Sequence, residues 1–163
     1  MIKSFLKIKN KKEIINHINK IPFKEHQLVY NGLSTYDYII QDFEILFEQI
    51  IKKFLSMVEP GYNIIDFWIN KYFYKGYVKK HNHPKDKKLT AKTGVYYFNT
   101  PNNSGDLIIS NKKANMKEGD IIIFNPDEIH WTEKNLSKKD KIIFSINMVK
   151  NFTREELDKN VYK

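Results

Sequence analysis

From Tyr36 to Val58 the apolar residues fall on one stripe. Tyr36, Ile39, Ile40, Phe43, Leu46, Phe47, Ile50, Ile51, Phe54 and Val58 recur at steps of three and four, which is the spacing of one helix face. Ser34-Thr35-Tyr36-Asp37 reads as a helix start with an acid in its first turn. Glu59-Pro60-Gly61 ends the helix, because proline cannot continue the hydrogen-bond ladder. A shorter helix is predicted over Lys11 to Asn19, with Asn10 at its cap. Residues 1–60 therefore read as a helical layer.

Beyond Gly61 the period changes to two. Ile65, Phe67 and Ile69 face one way, and Trp68, Asn70 and Tyr72 face the other. Further strands are predicted at Gly76–His81, Thr93–Asn99, Asp106–Ser110, Asp120–Phe124, His130–Glu133 and Lys141–Met148. Turn residues separate them at Pro84-Lys85-Asp86, Pro101-Asn102-Asn103-Ser104-Gly105, Glu118-Gly119-Asp120 and Asn125-Pro126-Asp127. Short strands so spaced argue for a sandwich or barrel and against βαβ units. The polar residues 151–163 read as a short helix or frayed tail. No repeat or linker divides the chain, so its 163 residues are expected to form a single domain with residues 61–150 as its β core.

Composition narrows the chemistry. There is no cysteine, which excludes disulfide scaffolds, iron–sulfur clusters and thiol nucleophiles. No apolar run approaches a membrane span, and the lysine-studded N-terminus lacks a small-residue cleavage site. The expected address is the cytoplasm. The net charge is +9, carried by 28 basic against 19 acidic residues. Arg154 is the only arginine, and the lysines are scattered along the sequence without interleaved aromatics. That pattern reads as a solvated lysine coat, and nucleic acid is an unlikely partner. No Gly-rich phosphate loop, Ser-His-Asp arrangement or singled-out carboxylate pair is present.

The histidines carry the strongest signal. His81-Asn82-His83-Pro84 puts two imidazoles on one side of a strand end. Two imidazoles so placed can converge on one ion at about 2.0–2.1 Å. His130 opens a later strand and can supply a third point, leaving other positions on a metal open. A solvent-facing strand end among lysines is the competing reading. His17 and His26, in a helix and a loop, read as surface residues.

The motifs occur in a characteristic order. They are Trp68-Ile69-Asn70-Lys71-Tyr72, Gly76-Tyr77, His81-Asn82-His83-Pro84, Gly94-Val95-Tyr96-Tyr97-Phe98, Ser104-Gly105-Asp106-Leu107, Gly119 to Pro126, His130, and Lys141 to Asn147. Over residues 61–150 the chain resembles the 2-oxoglutarate- and iron(II)-dependent oxygenases, in particular a small branch with an H-x-H-P motif. More distantly it resembles the prolyl hydroxylases. The resemblance implies a mainly β fold, a double-stranded β-helix or jelly roll, with the helical layer packed on it. It implies Fe(II) held by His81, His83 and His130. Position 83 usually bears a carboxylate in the superfamily and a histidine in the H-x-H-P branch; water or Asp86 is the alternative occupant.

The resemblance also implies O2 and 2-oxoglutarate as cosubstrates, the latter decarboxylated to succinate as a C–H bond is hydroxylated. Lys141 matches the cation that grips the 5-carboxylate, although the serine usually found two residues later is Ile143 here. Tyr97 matches a tyrosine sharing that carboxylate, Asn70 a position near the 1-carboxylate, and Asn147 faces inward from the strand of Lys141. An exposed strand lysine and a core tyrosine are the plain readings of Lys141 and Tyr97, and Trp68 and Tyr72 read as core or pocket wall. The substrate itself is unread; the prolyl-hydroxylase likeness suggests a peptide or protein side chain. Two other functions fit parts of the pattern. One is a cupin-like three-histidine metal enzyme that does not use 2-oxoglutarate. The other is a non-enzymatic module binding metal or nucleic acid.

Overall fold

Alternation along three long strands decides the architecture. A computed structural model describes residues 1–35, 44–83, 91–152 and 156, the side chains of 44–46 excepted. Its strands are β1 (Ile2–Phe5), β2 (Lys24–His26), β3 (Val29–Ser34), β4 (Tyr62–Val78), β5 (Ala91–Asn99), β6 (Leu107–Ile109), β7 (Lys112–Lys113), β8 (Asp120–Phe124), β9 (His130–Thr132) and β10 (Lys141–Lys150). Helices α1 (Lys11–Ile18) and α2 (Glu44–Ser56) precede the long strands. Seven strands form one antiparallel sheet in the order β1-β8-β5-β10-β4-β3-β2, and three form a second in the order β7-β6-β9. The fold is mainly β, a double-stranded β-helix.

At the centre of the large sheet β10 pairs with β4 on one side and β5 on the other. One face of these strands carries Ile69, Tyr96, Phe98, Ile142, Phe144, Ile146 and Met148. Helices cover that face, with Ile14 and Ile18 from α1 and Phe47, Ile50 and Phe54 from α2 buried against it. Phe144 anchors the contact, its ring 5.0 Å from Phe47 and 5.1 Å from Phe98, the latter edge-on at 89°. Each such side chain contributes about 1.5–3 kcal/mol on burial. Gly94 makes the approach possible: a Cβ there would sit 2.6 Å from the Phe54 ring.

The opposite face looks into the space between the sheets. Tyr72, Val95, Tyr97, Ile122, Phe124 and Ile143 meet Leu107 and Ile109 of the small sheet there. The register stacks this inner face in layers. Lys141 lies opposite Tyr72; Ile143 opposite Asn70 and Tyr97; Ser145 opposite Trp68 and Val95; Asn147 opposite Asp66 and Thr93.

Two expectations need correction. Residues 1–60 do supply two helices, but β1, β2 and β3 lie among them. Each is too short to display its own alternation and is held by distant partners, Ile2 by Ile123 and Val29 by Val78. Ser34 and Thr35 themselves are extended, and Tyr36-Asp37 of the predicted helix start lie outside the described residues. Ser34 ends β3, and Thr35 continues the ladder, donating its N–H to the Ile69 carbonyl while its hydroxyl accepts the Ile69 N–H. Asn10 precedes α1 as predicted but makes no side-chain cap bond; its Oδ1 accepts from Gln49 of α2. Strands predicted at Ile65–Tyr72 and Gly76–His81 belong to one 17-residue strand, β4, up to Val78. Tyr36, Ile39, Ile40 and Phe43 of the stripe, the turn at 84–86 with Asp86, and Arg154 lie outside the described residues. Among the described residues no helix is long and apolar enough to cross a membrane.

Candidate metal centre

Backbone pairing brings the first two histidines together. His81 and His130 form an isolated antiparallel bridge, each N–H donating to the other's carbonyl at 3.0 and 2.8 Å. Their rings lie 4.2 Å apart, and His83 stands 5.3 and 5.2 Å from them. One nitrogen of each ring falls within 4.8 Å of the others. Phe124 stands edge-on to His130 at 4.8 Å, and Trp68 is 6.3 Å from His83, so aromatic rings wall the cluster.

Hydrogen bonding orients each imidazole. The Nδ1 of His81 lies 2.8 Å from the Lys79 carbonyl, and that of His130 lies 2.8 Å from the Glu128 carbonyl. A carbonyl only accepts, so Nδ1 carries the proton in both and Nε2 keeps its lone pair. His83 turns its Nδ1 to side chains, 3.1 Å from Asn147 Oδ1 and 3.2 Å from Thr93 Oγ1. Asn147 in turn donates from Nδ2 to Asp66 Oδ2 at 3.0 Å. Burial lowers the pKa of all three rings, that of His130 to about 3; repulsion from His81 adds to it at His83 and His130, and repulsion from His26 adds to it at His81. They are neutral at physiological pH, the state in which imidazole binds metals. Three lone pairs converging in this way, each ring fixed from behind, suit Zn, Fe, Ni or Cu.

The inner face leading away from the histidines holds buried polar groups. Lys141 is 1% exposed; its Nζ donates to the Gly105 carbonyl at 2.7 Å and lies 5.0 Å over the Tyr97 ring and 5.9 Å over Tyr72. Burial lowers its pKa to about 8, against the pull of Asp106 and Glu133. The hydroxyls of Tyr72 and Tyr97 and the Oδ1 of Asn70 are buried without a hydrogen-bond partner. Burial raises both phenols, so they stay protonated and can donate. Leaving such a group unpaired costs about 1–3 kcal/mol. An ammonium beside two donor hydroxyls is the complement of a carboxylate, which accepts from all three. The residues present therefore fit a metal at one end of the inner face and a carboxylate at the other.

The predicted site residues separate into two groups. His81, His83 and His130 converge, with Asn147 directly behind His83; Lys141, Tyr97 and Asn70 line the inner face further along β10, β5 and β4. Tyr72, read from sequence as wall, sits beside Lys141 with a free hydroxyl, and its same-face spacing from Asn70 was the available signal. Asp66, Thr93 and the Gly105 carbonyl were missed, since nothing local in the sequence reveals which residues pair across the sheet. His17 is half-buried, edge-on to Phe47 at 6.5 Å. His26 ends β2, where its charge is felt by His81.

No family model matches the chain, and no characterised protein sequence matches it. Solved structures do. The viral collagen prolyl hydroxylase of Paramecium Bursaria Chlorella virus-1, solved with 2-oxoglutarate, superposes with a TM-score of 0.66 over 91% of this chain and 95% of its own, at 21% identity. HygX of Streptomyces hygroscopicus, solved with nickel and 2-oxoglutarate, gives 0.65 over 89% and 80%, at 8% identity. A predicted oxalate decarboxylase of Thermotoga maritima gives 0.52 over 80% and 95%, at 15% identity. The chain thus shares its fold with 2-oxoglutarate-binding oxygenases and with a predicted oxalate decarboxylase.

Proposed function

We propose that this protein is an Fe(II)- and 2-oxoglutarate-dependent dioxygenase that hydroxylates a C–H bond, with a peptide or protein side chain as first candidate substrate. One observation carries the reading: a three-histidine cluster stands at one end of the inner face of the large sheet, and a buried lysine with two unpaired phenols lines that face further along. Neighbours solved with 2-oxoglutarate, one also with nickel, support it. With iron and 2-oxoglutarate bound, such a site would use O2 for C–H hydroxylation, one oxygen atom going to the substrate and the other to succinate as 2-oxoglutarate loses carbon dioxide.

In this reading His81, His83 and His130 hold the metal through Nε2. Lys141, Tyr97 and Tyr72 hold the 5-carboxylate, and the ammonium exchanges its Gly105 partner for the carboxylate. Asn70, between the two ends, faces the cosubstrate with its amide NH2, since 2-oxoglutarate offers only acceptors. Trp68 and Phe124 keep water from the metal. The test is an anaerobic titration of Fe(II) with and without 2-oxoglutarate, followed by a succinate assay in air. A metal-to-ligand charge-transfer band appearing only with both additions, and succinate formed from 2-oxoglutarate, is the expected result.

A second reading rests on the ligand set itself. All three donors are neutral nitrogens, with no carboxylate among them, and a predicted oxalate decarboxylase shares the fold. A three-histidine metal enzyme acting directly on its substrate would bind metal without the charge-transfer band and produce no succinate.

A further inference from the structure

His81 and His130 are oriented by main-chain carbonyls, which no substitution of a neighbouring side chain removes. His83 depends on side chains alone. We propose that Asp66, acting through Asn147, selects the Nδ1–H tautomer of His83 and thereby makes His83 a metal ligand; the ligand half of this rests on the metal-centre reading above.

The argument follows the donors. A carboxylate only accepts. Asp66 Oδ2 is 3.0 Å from the Asn147 amide, so that contact must come from the amide nitrogen. This fixes which way Asn147 faces: its Oδ1 points to His83 and to Thr93. The Thr93 hydroxyl donates to the same Oδ1 at 3.1 Å. Both lone pairs of Oδ1 are then used, one by Thr93 and one by His83 Nδ1–H at 3.1 Å. With the proton on Nδ1, Nε2 bears the lone pair. In the other tautomer the Thr93 hydroxyl, 3.2 Å from Nδ1, could turn its proton there, but it would then leave Asn147 Oδ1, and the Nδ1 lone pair would still face that oxygen, two acceptors in contact. The imidazole is neutral in both tautomers, so what is selected is the direction of its lone pair and not its charge.

The register explains how the arrangement is built. Asp66, Asn147 and Thr93 are direct Cα partners across β4, β10 and β5, one polar layer running across the sheet. Thr93 is buried. His83 lies beyond any strand, its N–H bonded to the Pro126 carbonyl at 2.8 Å, and its ring is turned onto this layer. Asp66 and Asn147 are positioning residues: they act through His83 and supply, one step removed, a carboxylate that the three ligands among the described residues lack.

Removing such an outer partner lowers metal affinity by about 10–100-fold in comparable sites. The isosteric Asp66→Asn lets the Asn147 amide flip and present its NH2 to His83. In metal-free protein at neutral pH, long-range 1H–15N spectra of the imidazoles should show Nδ1–H for all three histidines of wild type. In Asp66→Asn and in Asn147→Leu, His83 alone should move toward Nε2–H, with His81 and His130 unchanged as internal controls. Cobalt(II) affinity, measured on folded protein, should fall about 10–100-fold. In a His83→Ala background Asp66→Asn should change it no further. If both variants keep His83 as Nδ1–H and bind cobalt like wild type, this inference falls and the metal-centre reading stands. If wild type shows Nδ1–H on His83 yet takes up no cobalt, the metal-centre reading falls, and His83 is not a ligand.

Discussion

The two faces of the central sheet are made by the same strands and differ in almost everything else. The outer face is carbon against carbon: Phe47, Phe54, Phe98 and Phe144 with branched aliphatics around them. The inner face buries an ammonium, two unpaired phenols and an unpaired amide oxygen, and at its far end it meets three imidazoles brought there by the chain past β4 and by β9. Alternation at a period of two thus lets one ladder carry stability on one side and chemistry on the other. The inner face is destabilised by the groups it holds, as expected where a ligand is meant to complete them.

The largest effect that would break the comparison is at the histidines. His81→Ala or His130→Ala should abolish metal binding at micromolar cobalt or iron, whereas His17→Ala should leave it intact; equilibrium dialysis with metal analysis checks this. Full occupancy in His81→Ala would put the site elsewhere.

On the outer face, Phe47→Ala should lower unfolding free energy by about 3–5 kcal/mol in urea denaturation. Metal affinity of the folded fraction should not change, which is the separation of the faces in its plainest form.

Lys141 tests the inner face in both directions. Lys141→Ala should weaken 2-oxoglutarate binding to metal-loaded protein at least about a hundredfold, on the scale of about 1.4 kcal/mol per factor of ten. Lys141→Met should stabilise the ligand-free protein by about 2–3 kcal/mol, because the wild type holds its ammonium in a site that lowers the pKa to about 8. Calorimetry without ligand and a 2-oxoglutarate titration read the two halves. Equal affinity for the cosubstrate would remove Lys141 from the site.

The smallest effect is a pH dependence. His130 has a folded pKa of about 3, below the ordinary imidazole value. The unfolded chain therefore takes up a proton first as pH falls, and stability declines from about pH 6.5 downward. At pH 5 His130 alone should account for a loss of about 2 kcal/mol, absent from His130→Gln. Urea melts across that range measure it.

Much of this was legible in sequence, for definable reasons. The same-face set Trp68, Asn70 and Tyr72 and the strand at Asp120–Phe124 are local patterns, and the fold reproduces them; His81 and His83 do converge, but beyond Val78 where β4 ends, so strand alternation is not what brings them together. The stripe ending at Val58 yields α2 on the outer face because helix periodicity is also local. What escaped is non-local. Val29–Ser34 shows its strand character only in its ladder with β4. The layer of Asp66, Asn147 and Thr93 exists only in the register of three strands, so Asn147 read as an inward-facing cosubstrate contact when its amide is held between His83 and Asp66.

The bridge between His81 and His130 has a consequence for motion. It is isolated: two residues hydrogen-bonded to each other past Val78, where β4 ends, tying that segment to β9 of the small sheet. Amide protons so placed exchange with solvent when that end parts locally, without waiting for the whole domain to unfold. The exchange rates of the His81 and His130 amides therefore form a matched pair, two probes on one opening event. Since the same two residues carry the facing imidazoles, 4.2 Å apart, every opening they record also parts the backbone that holds the rings together.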